Sequence, residues 1–309
     1  MPRLTSETTS AGHKLGQLIG DWFEKSFVLP LLSQVGTTLD LFLDNRFIDR
    51  PARGEKIVWD DNDGNSVDYD FVLELNGGAD RLGIPVAFVE CSWRRGARHS
   101  KDKARDDSGK LLPMRNSYPT ARFLGMIVAG DFTQPSRDLI TSRGIDLLYI
   151  SKYNVVEAFA QAGLTIDYAD DAPELEKARL GTAFESTFTE GKHTEVAQRL
   201  VDLVGQPAIT SYVDRVRAKL SALPEEIRLI LRHESTPLTF RSLSDVTTFL
   251  ESPSFVMNTP RETYLYQVTY TDGSEFEETI FTFEKLRELH NEVRLLCDHM
   301  MQLGGTGKK

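Results

Sequence analysis

Apolar residues near the start of the chain recur at intervals of three and four, the spacing of one face of an α-helix. The residues with this spacing are Leu15, Leu18, Ile19, Trp22 and Phe23. The pattern predicts an amphipathic helix from about Ala11 to the region of Pro30. Glu24 follows on the flank of this helix, where we expect a solvated surface acid.

Short apolar runs separated by turn residues follow this helix and predict three strands. A strand from Lys56 to Trp59 leads into the turn sequence Asp61-Asn62-Asp63-Gly64-Asn65, and a second strand returns from Val67 to Leu75. The third run, Ile84 to Cys91, is apolar on both faces, which is typical of a strand in the middle of a sheet.

The next part of the chain alternates between helical and extended patterns. Ser100 is a candidate N-cap for a helix that ends at Pro113 or slightly later. The elements predicted after it are a strand over Arg122–Ala129, a helix over Pro135–Arg143, a strand over Ile145–Ile150 and a helix over Tyr153–Ala162. This order predicts an α/β fold with a mixed sheet and helices on both faces.

An acidic segment from Asp167 to Glu176 marks a predicted domain boundary. We place one domain at residues 1–166 and another at 177–309. The second domain is expected to be mainly helical, with a helix around Val213 and a further helix opened by Pro224. A β-hairpin is predicted to turn at Asp272-Gly273, and Thr282 is the expected cap of the last helix.

The last predicted helix carries apolar residues at a three-four spacing. They are Leu286, Leu289, Val293, Leu296, Met300 and Leu303. Such a seam is typical of a coiled coil. Because it spans few heptads, packing of the helix on its own domain is favoured over a dimer seam.

The composition is that of a globular protein, with 309 residues, 40% hydrophobic and 27% charged. No apolar stretch is long enough to span a bilayer, and the start of the chain lacks the apolar core of a secretion signal, so we expect a cytoplasmic protein. Cys91 and Cys297, the two cysteines of the chain, favour a reducing compartment and exclude a zinc site built from cysteines.

Two acidic residues lie on neighbouring apolar runs. Asp70 begins the run Asp70-Phe71-Val72-Leu73-Glu74, and Glu90 ends the run Val86-Ala87-Phe88-Val89-Glu90. Carboxylates on adjacent strands are suited to share one Mg²⁺, which prefers oxygen ligands. Asp68 is the competitor of Asp70, which is preferred because uninterrupted apolar residues follow it. A salt-bridge cluster between these acids and nearby arginines, with no metal, is the structural alternative.

A basic segment follows Glu90. Between Arg94 and Arg122 the chain has nine Lys or Arg and three acidic residues, although the formal net charge of the whole chain is −10. An acidic protein with one basic face is suited to selective binding of a polyanion, and phosphate oxygens are the expected partners of such cations. Trp93, within this segment, is expected to pack in the core.

The order of helix, hairpin, acid at a strand start, acid at the next strand end, helix, strand and helix resembles the PD-(D/E)XK nuclease superfamily, in particular its Mrr-like and type II restriction endonuclease-like members. The segments Gly130-Asp131-Phe132-Thr133-Gln134-Pro135-Ser136-Arg137 and Gly144-Ile145-Asp146-Leu147-Leu148 add to the resemblance, which covers roughly Leu15 to Ala162. It implies a restriction-endonuclease-like fold and a Mg²⁺ site, with Mn²⁺ as substitute, at Asp70 and Glu90. The DNA-binding residues it implies are Ser92, Arg94, Arg95, Arg98 and His99.

One position departs from the family pattern. The lysine expected two residues after the second acid is replaced by Ser92, and a hydroxyl cannot supply the cation that polarises the attacking water. The resemblance implies that the following helix delivers the lysine, with Lys103 as first choice and Lys101 as second. The alternative is a domain that binds DNA without cutting it.

These features together predict a Mg²⁺-dependent endonuclease that hydrolyses double-stranded DNA, specifically a sequence-specific type II restriction enzyme in defence against foreign DNA. Cleavage of both strands needs two sites, so we expect a homodimer, and a companion methyltransferase is a further expected partner. Two alternatives remain. One is a catalytically inactive nucleic-acid-binding or scaffold module of the same fold, and the other is a repair or RNA nuclease.

Overall fold

A computed structural model gives the structure of the chain and describes residues 11–231, 237–252, 255 and 263–306. The fold is mixed α/β, with a mixed central sheet flanked by helices, as the sequence predicts in outline. Within the described residues, no helix is both long and apolar enough to cross a membrane.

The α-helices in chain order are α1 (Ala11–Trp22), α2 (Leu29–Leu39), α3 (Ser100–Ser117), α4 (Gln134–Ser142), α5 (Lys152–Gln161), α6 (Glu174–Thr187), α7 (Glu190–Val204), α8 (Gln206–Ser221), α9 (Leu243–Leu250) and α10 (Phe283–Thr306). The strands are β1 (Phe42–Asn45), β2 (Val58–Asp60), β3 (Ser66–Asp68), β4 (Phe71–Leu75), β5 (Ile84–Arg94), β6 (Phe123–Gly130), β7 (Asp146–Ser151), β8 (Pro224–Leu231), β9 (Leu238–Phe240), β10 (Tyr264–Tyr270) and β11 (Glu275–Ile280). A π-helix, Phe23–Val28, joins α1 to α2, and a 3₁₀ turn, Ala97–His99, precedes α3.

The strands form three sheets. The central sheet has the order β1-β4-β5-β6-β7, with β1 antiparallel to β4 and β6 parallel to β7. A second, antiparallel sheet has the order β11-β10-β8-β9, and β2 pairs with β3 in a separate hairpin. Strand β6 is buried along its whole length, which explains its continuous apolar sequence.

Two compact units share the chain, and each draws on several separate segments. The first unit takes the chain up to Gln34 together with Val89–Gly109 and Gly125–Val213. The second takes Val35–Phe88, Lys110–Leu124 and the chain from Asp214 onward. The boundary predicted at residues 167–176 stays a prediction.

A buried ionic cluster in the second unit links strand β1 to strand β4. The Arg50 guanidinium donates to Asp44 over 2.6 Å and to Glu74 over 2.5 and 2.7 Å, and all three side chains are fully buried. Glu74 also accepts the amide of Gly83 over 2.6 Å, and Arg53 donates to Asp44 over 2.9 Å. Burial disfavours the charged guanidinium, but the hydrogen bonds and negative charges of Glu74 and Asp44 outweigh it and raise the pKa of Arg50.

A series of hydrogen-bonded side chains runs through the core around the four-stranded sheet. Tyr266 Oη lies 3.0 Å from His290 Nδ1, and His290 Nε2 lies 2.9 Å from Thr247 Oγ1, which donates to the carbonyl of Leu243 over 2.9 Å. Because the Thr247 proton goes to Leu243, Nε2 of His290 donates to Thr247, and in the neutral imidazole Nδ1 then accepts from the Tyr266 hydroxyl. Burial, followed by the charge of Arg294, lowers the pKa of His290 to about 4.

The first helix differs from the prediction in its continuity. It extends past Pro30 to Leu39 as α1, the π-helix and α2. Pro30 has no N–H to donate, and it directly follows the π-turn in which the Leu29 amide donates to the carbonyl of Glu24. Within the π-helix Glu24 is 6% exposed, so the expectation of a solvated surface acid is wrong. The π-helix changes which positions face the core, and this is the physical reason for the error.

The second predicted strand, Val67 to Leu75, is two strands. Strand β3 pairs with β2, whereas β4 belongs to the central sheet. Between them the Tyr69 amide donates to the carbonyl of Ile57 over 2.9 Å, and its ring is buried. The chain therefore changes sheets at Tyr69 and Asp70. Strand β1 has no counterpart in the prediction, because four residues carry too little pattern to be recognised.

The prediction of a helix that begins at Pro224 is wrong, because this segment forms strand β8. Ile227, Leu229 and Leu231 are buried and Arg228 is exposed, which is the period of two of a strand with one covered face. A proline is compatible with the first residue of a strand. The predicted hairpin is present as β10 and β11. Because β8 pairs with β10, the hairpin forms half of a four-stranded sheet.

The apolar seam of the last helix is buried within this chain. Leu286, Leu289, Val293, Leu296 and Met300 are each at most 6% exposed. The preferred interpretation, packing of the helix on its own domain, is confirmed. The Thr282 hydroxyl accepts the amide of Lys285 over 3.1 Å, so the predicted cap is confirmed as well.

Candidate functional site

Asp70 lies directly before β4, at the point where the chain enters the central sheet. Its side chain is partly buried, and the residue belongs to the second unit. The competing acid Asp68 forms an ion pair with Lys56 at 3.2 Å on the surface. Glu74, at the other end of the strand, is committed to Arg50 and Gly83.

Glu90 lies inside β5, four residues before the strand ends, and is 1% exposed. It belongs to the first unit, whereas Asp70 belongs to the second. The prediction places Glu90 at the end of its strand, but β5 continues through Ser92 and Trp93 to Arg94. Both faces of β5 are covered, so burial does not alternate along the strand and gives no signal of where the strand ends.

The two residues after Cys91 are buried. Trp93 is 8% exposed, so the expectation that it packs in the core is confirmed. Ser92 is also 8% exposed, and its hydroxyl has no hydrogen-bond partner among the described residues. The position where the family places a lysine thus holds a buried hydroxyl.

Arg95 is held by its own chain. Its guanidinium donates to Asp170 over 2.6 Å and to the carbonyl of Tyr168 over 3.0 Å, and it lies 4.1 Å from the Tyr168 ring centre. Burial opposes the charged form, but the hydrogen bond to Asp170 and the nearby negative charges raise the pKa of Arg95. The same hydrogen bond lowers the pKa of Asp170. This guanidinium is a structural cation as well as a candidate phosphate ligand.

Helix α3 carries the two candidate lysines. Lys101 is exposed to solvent. Lys103 donates to Asp107 over 2.6 Å, and the Asp107 side chain is 1% exposed. Arg98, in the preceding 3₁₀ turn, is exposed, and the side chain of His99 lies outside the described part of the chain. Pro113 lies inside α3, which continues one turn beyond it to Ser117.

Hydroxyl groups join the start of α3 to the start of α4. Ser100 Oγ lies 3.0 Å from Ser136 Oγ, which lies 2.8 Å from Thr133 Oγ1. Ser100 and Ser136 are fully buried. Sequence reasoning gave Ser100 only a capping role and missed Ser136, because the partners are far apart in sequence.

The chain segments that follow β5, β6 and β7 converge. The Asp131 amide, just after β6, donates to the carbonyl of Arg94 at the end of β5 over 2.8 Å. Lys152, just after β7, lies 3.8 Å from Asp131 and 3.0 Å from Asp167. Asp167 also faces Arg95 at 3.6 Å. Asp131, Lys152 and Asp167, none of them predicted as a site residue, form one network with Arg95 at the carboxyl ends of the strands, where α/β folds place their ligands.

Across the described ranges, no group of three or more His, Cys, Asp or Glu is arranged to hold a metal ion. The predicted site rests on two carboxylates, with water to complete the shell of Mg²⁺. Comparison of the chain with models of protein families, with curated proteins and with solved structures finds no significant match.

Proposed function

We propose that the chain is a Mg²⁺-dependent endonuclease of the PD-(D/E)XK type that hydrolyses DNA phosphodiester bonds. One observation carries the proposal. An acid precedes β4, a second acid lies on β5, these strands are neighbours in the sheet order, and a cation-rich helix follows. The restriction-endonuclease-like fold is part of the same proposal, supported by the mixed sheet and the helices between its later strands.

Asp70 and Glu90 are the proposed metal ligands. A bound Mg²⁺ supplies a water of lowered pKa and neutralises charge on the scissile phosphate. Glu90 is 1% exposed and lies on a strand of the central sheet, and a regular element of this kind is suited to hold a ligand in place. Arg94 and Arg98 are the proposed phosphate contacts near this site, together with Arg95 and His99.

The proposed substrate is double-stranded DNA, and the proposed role is restriction of foreign DNA by a sequence-specific homodimer. A companion methyltransferase belongs to this role, because a restriction enzyme must spare its own genome. The buried seam of α10 does not supply the dimer contact, so the dimer would use another surface.

A second candidate function is binding of DNA without cleavage. Two observations favour it: Ser92 replaces the family lysine, and Lys103 is engaged by the buried carboxylate of Asp107. A module of this kind would keep the basic segment and lose hydrolysis.

Plasmid DNA incubated with the protein, with and without Mg²⁺, separates these functions. Cleavage that requires Mg²⁺ and is lost in both Glu90→Gln and Asp70→Asn supports the nuclease. Asp68→Asn is the matched control, because it removes a neighbouring surface acid. Intact plasmid with retarded migration supports the binding module. Unchanged cleavage by Glu90→Gln would refute the site.

A further inference from the structure

A cavity of about 450 Å³ lies in the second unit, beside the start of α9 and the last turns of α10. This volume lies in the range of small-molecule sites, roughly 300 to 1,000 Å³. Leu223, Leu243 and Met301 give it an apolar wall. Arg241, Arg294 and a group of hydroxyls give it a polar wall.

The two arginines are donors whose partners are missing from the described residues. Neither Arg241 nor Arg294 forms an ion pair or donates a hydrogen bond within that part of the chain, and Nε of Arg294 is buried. A buried donor without an acceptor costs free energy, and natural structures rarely keep one. Asp298, one helical turn after Arg294, also lines the cavity yet makes no ion pair with it within the described residues.

The hydroxyls of the cavity divide into two groups. The hydroxyls of Thr247 and Thr248 donate hydrogen bonds of 2.9 Å to the carbonyls of Leu243 and Ser244. The oxygen of Ser242 accepts the amide of Asp245 over 3.1 Å, which leaves its proton available. The Ser244 hydroxyl makes no hydrogen bond to a described residue. Two hydroxyl donors therefore accompany the two guanidinium groups.

One residue of the cavity wall, Thr247, is anchored in the core. Thr247 is fixed by His290, which is fixed in turn by Tyr266, and the side chains of His290 and Tyr266 are at most 2% exposed. With two arginines against one aspartate, the lining of the cavity is net positive.

We propose that this cavity binds a small organic phosphate. Guanidinium groups match the geometry of phosphate oxygens and bind them through charge-assisted hydrogen bonds. The phosphate is received by Arg241, Arg294 and the Ser242 and Ser244 hydroxyls, and the organic part packs on Leu243 and Met301. The site is separate from the proposed nuclease residues and does not depend on that function.

Isothermal titration of the full chain with phenyl phosphate tests the proposal, with inorganic phosphate and phenol as the two halves of the ligand. We expect saturable 1:1 binding of phenyl phosphate, with weaker binding of either half. Arg294→Gln and Arg241→Gln are each expected to weaken binding at least tenfold. Arg228→Gln, an exposed arginine of β8 paired with Glu226, is the control and should bind as the parent does.

The outcomes are distinguishable. Absence of saturable binding overturns the proposal, as does equal binding by the parent and a folded Arg241→Gln protein. An equal loss in Arg228→Gln would show a non-specific charge effect and would also overturn it. Urea midpoints of the variants verify folding, and Arg241 is exposed, so its variant remains informative if Arg294→Gln does not fold. Plasmid cleavage has no part in the readout, so failure of the nuclease proposal leaves this result intact.

Discussion

Lys103 donates a hydrogen bond of 2.6 Å to Asp107, one helical turn further along α3. The aspartate is 1% exposed and the lysine about one quarter exposed, so the ammonium group compensates a buried charge. A lysine in this position is fixed in place, which suits either a positioned catalytic cation or a structural one.

Substitution of Lys103 distinguishes these roles. If Lys103 is the proposed catalytic cation, Lys103→Ala lowers the DNA cleavage rate by orders of magnitude while DNA binding is retained. Lys101→Ala removes an exposed charge from the same helix and should cut at nearly the parent rate. Single-turnover cleavage and a gel-shift titration measure the two quantities. Equal rates for both variants would contradict the assignment.

The cations near the strand ends are expected to contribute unequally to DNA affinity. Arg98 is exposed, so Arg98→Ala should reduce the slope of log K against log salt by about 1. Arg95 is paired with Asp170 at 2.6 Å, so a phosphate contact must compete with this pair, and Arg95→Ala should reduce the slope less than Arg98→Ala does. Fluorescence anisotropy over a series of salt concentrations measures both slopes. A larger change for Arg95 than for Arg98 would mean that DNA displaces the 167–170 segment.

The buried ionic cluster should dominate the stability of its region. Arg50→Leu leaves the buried carboxylate of Glu74 without its cation and leaves Asp44 with Arg53 alone, which we expect to cost about 3–5 kcal/mol of the free energy of unfolding. Lys56→Leu breaks an exposed pair with Asp68 and should cost less than about 1 kcal/mol. Urea denaturation measures both, and similar losses would contradict the cluster's role.

Acid should destabilise the protein through His290. Its pKa is about 4 in the folded chain and about 6.5 when unfolded, so the unfolded state binds the proton more readily. Stability from this group is complete above about pH 6.5 and is lost as the pH falls towards 4. Between pH 7.5 and 5 the loss is about 2 kcal/mol. The parent should lose this much more than His290→Gln in urea titrations at the two pH values; equal losses would count against the neutral imidazole.

Periodicity in the sequence was sufficient for the longer elements. Helices α4 and α5 and strand β6 lie within a few residues of their predicted bounds, because their apolar residues follow the pattern of one kind of element. The largely polar helix α3 was predictable from its end signals, Ser100 and Pro113. The segment at Pro224 failed for a different reason. A proline is typical of the first turn of a helix, which favours a helix at this position. The alternation of Ile227, Leu229 and Leu231 is the period of a strand and was the correct signal.

The candidate site was predictable only as separate pieces. The acids Asp70 and Glu90 and the basic segment are visible in the sequence, because each lies in a short contiguous stretch. The partners of Lys103 and Arg95 were not predicted. Asp107 lies at helical spacing and was available as a signal, whereas Asp170 lies 75 residues from Arg95 and no local pattern links them.

The enclosed guanidinium of Arg50 also restricts how this sequence can diverge. Counted with Arg53, the buried set has two acids and two arginines, so each single replacement of Arg50, Asp44 or Glu74 leaves an unbalanced charge in the interior and every one-step mutational intermediate is penalised. Homologues are therefore expected to inherit the three residues as a block or to have exchanged them jointly for apolar side chains of similar volume.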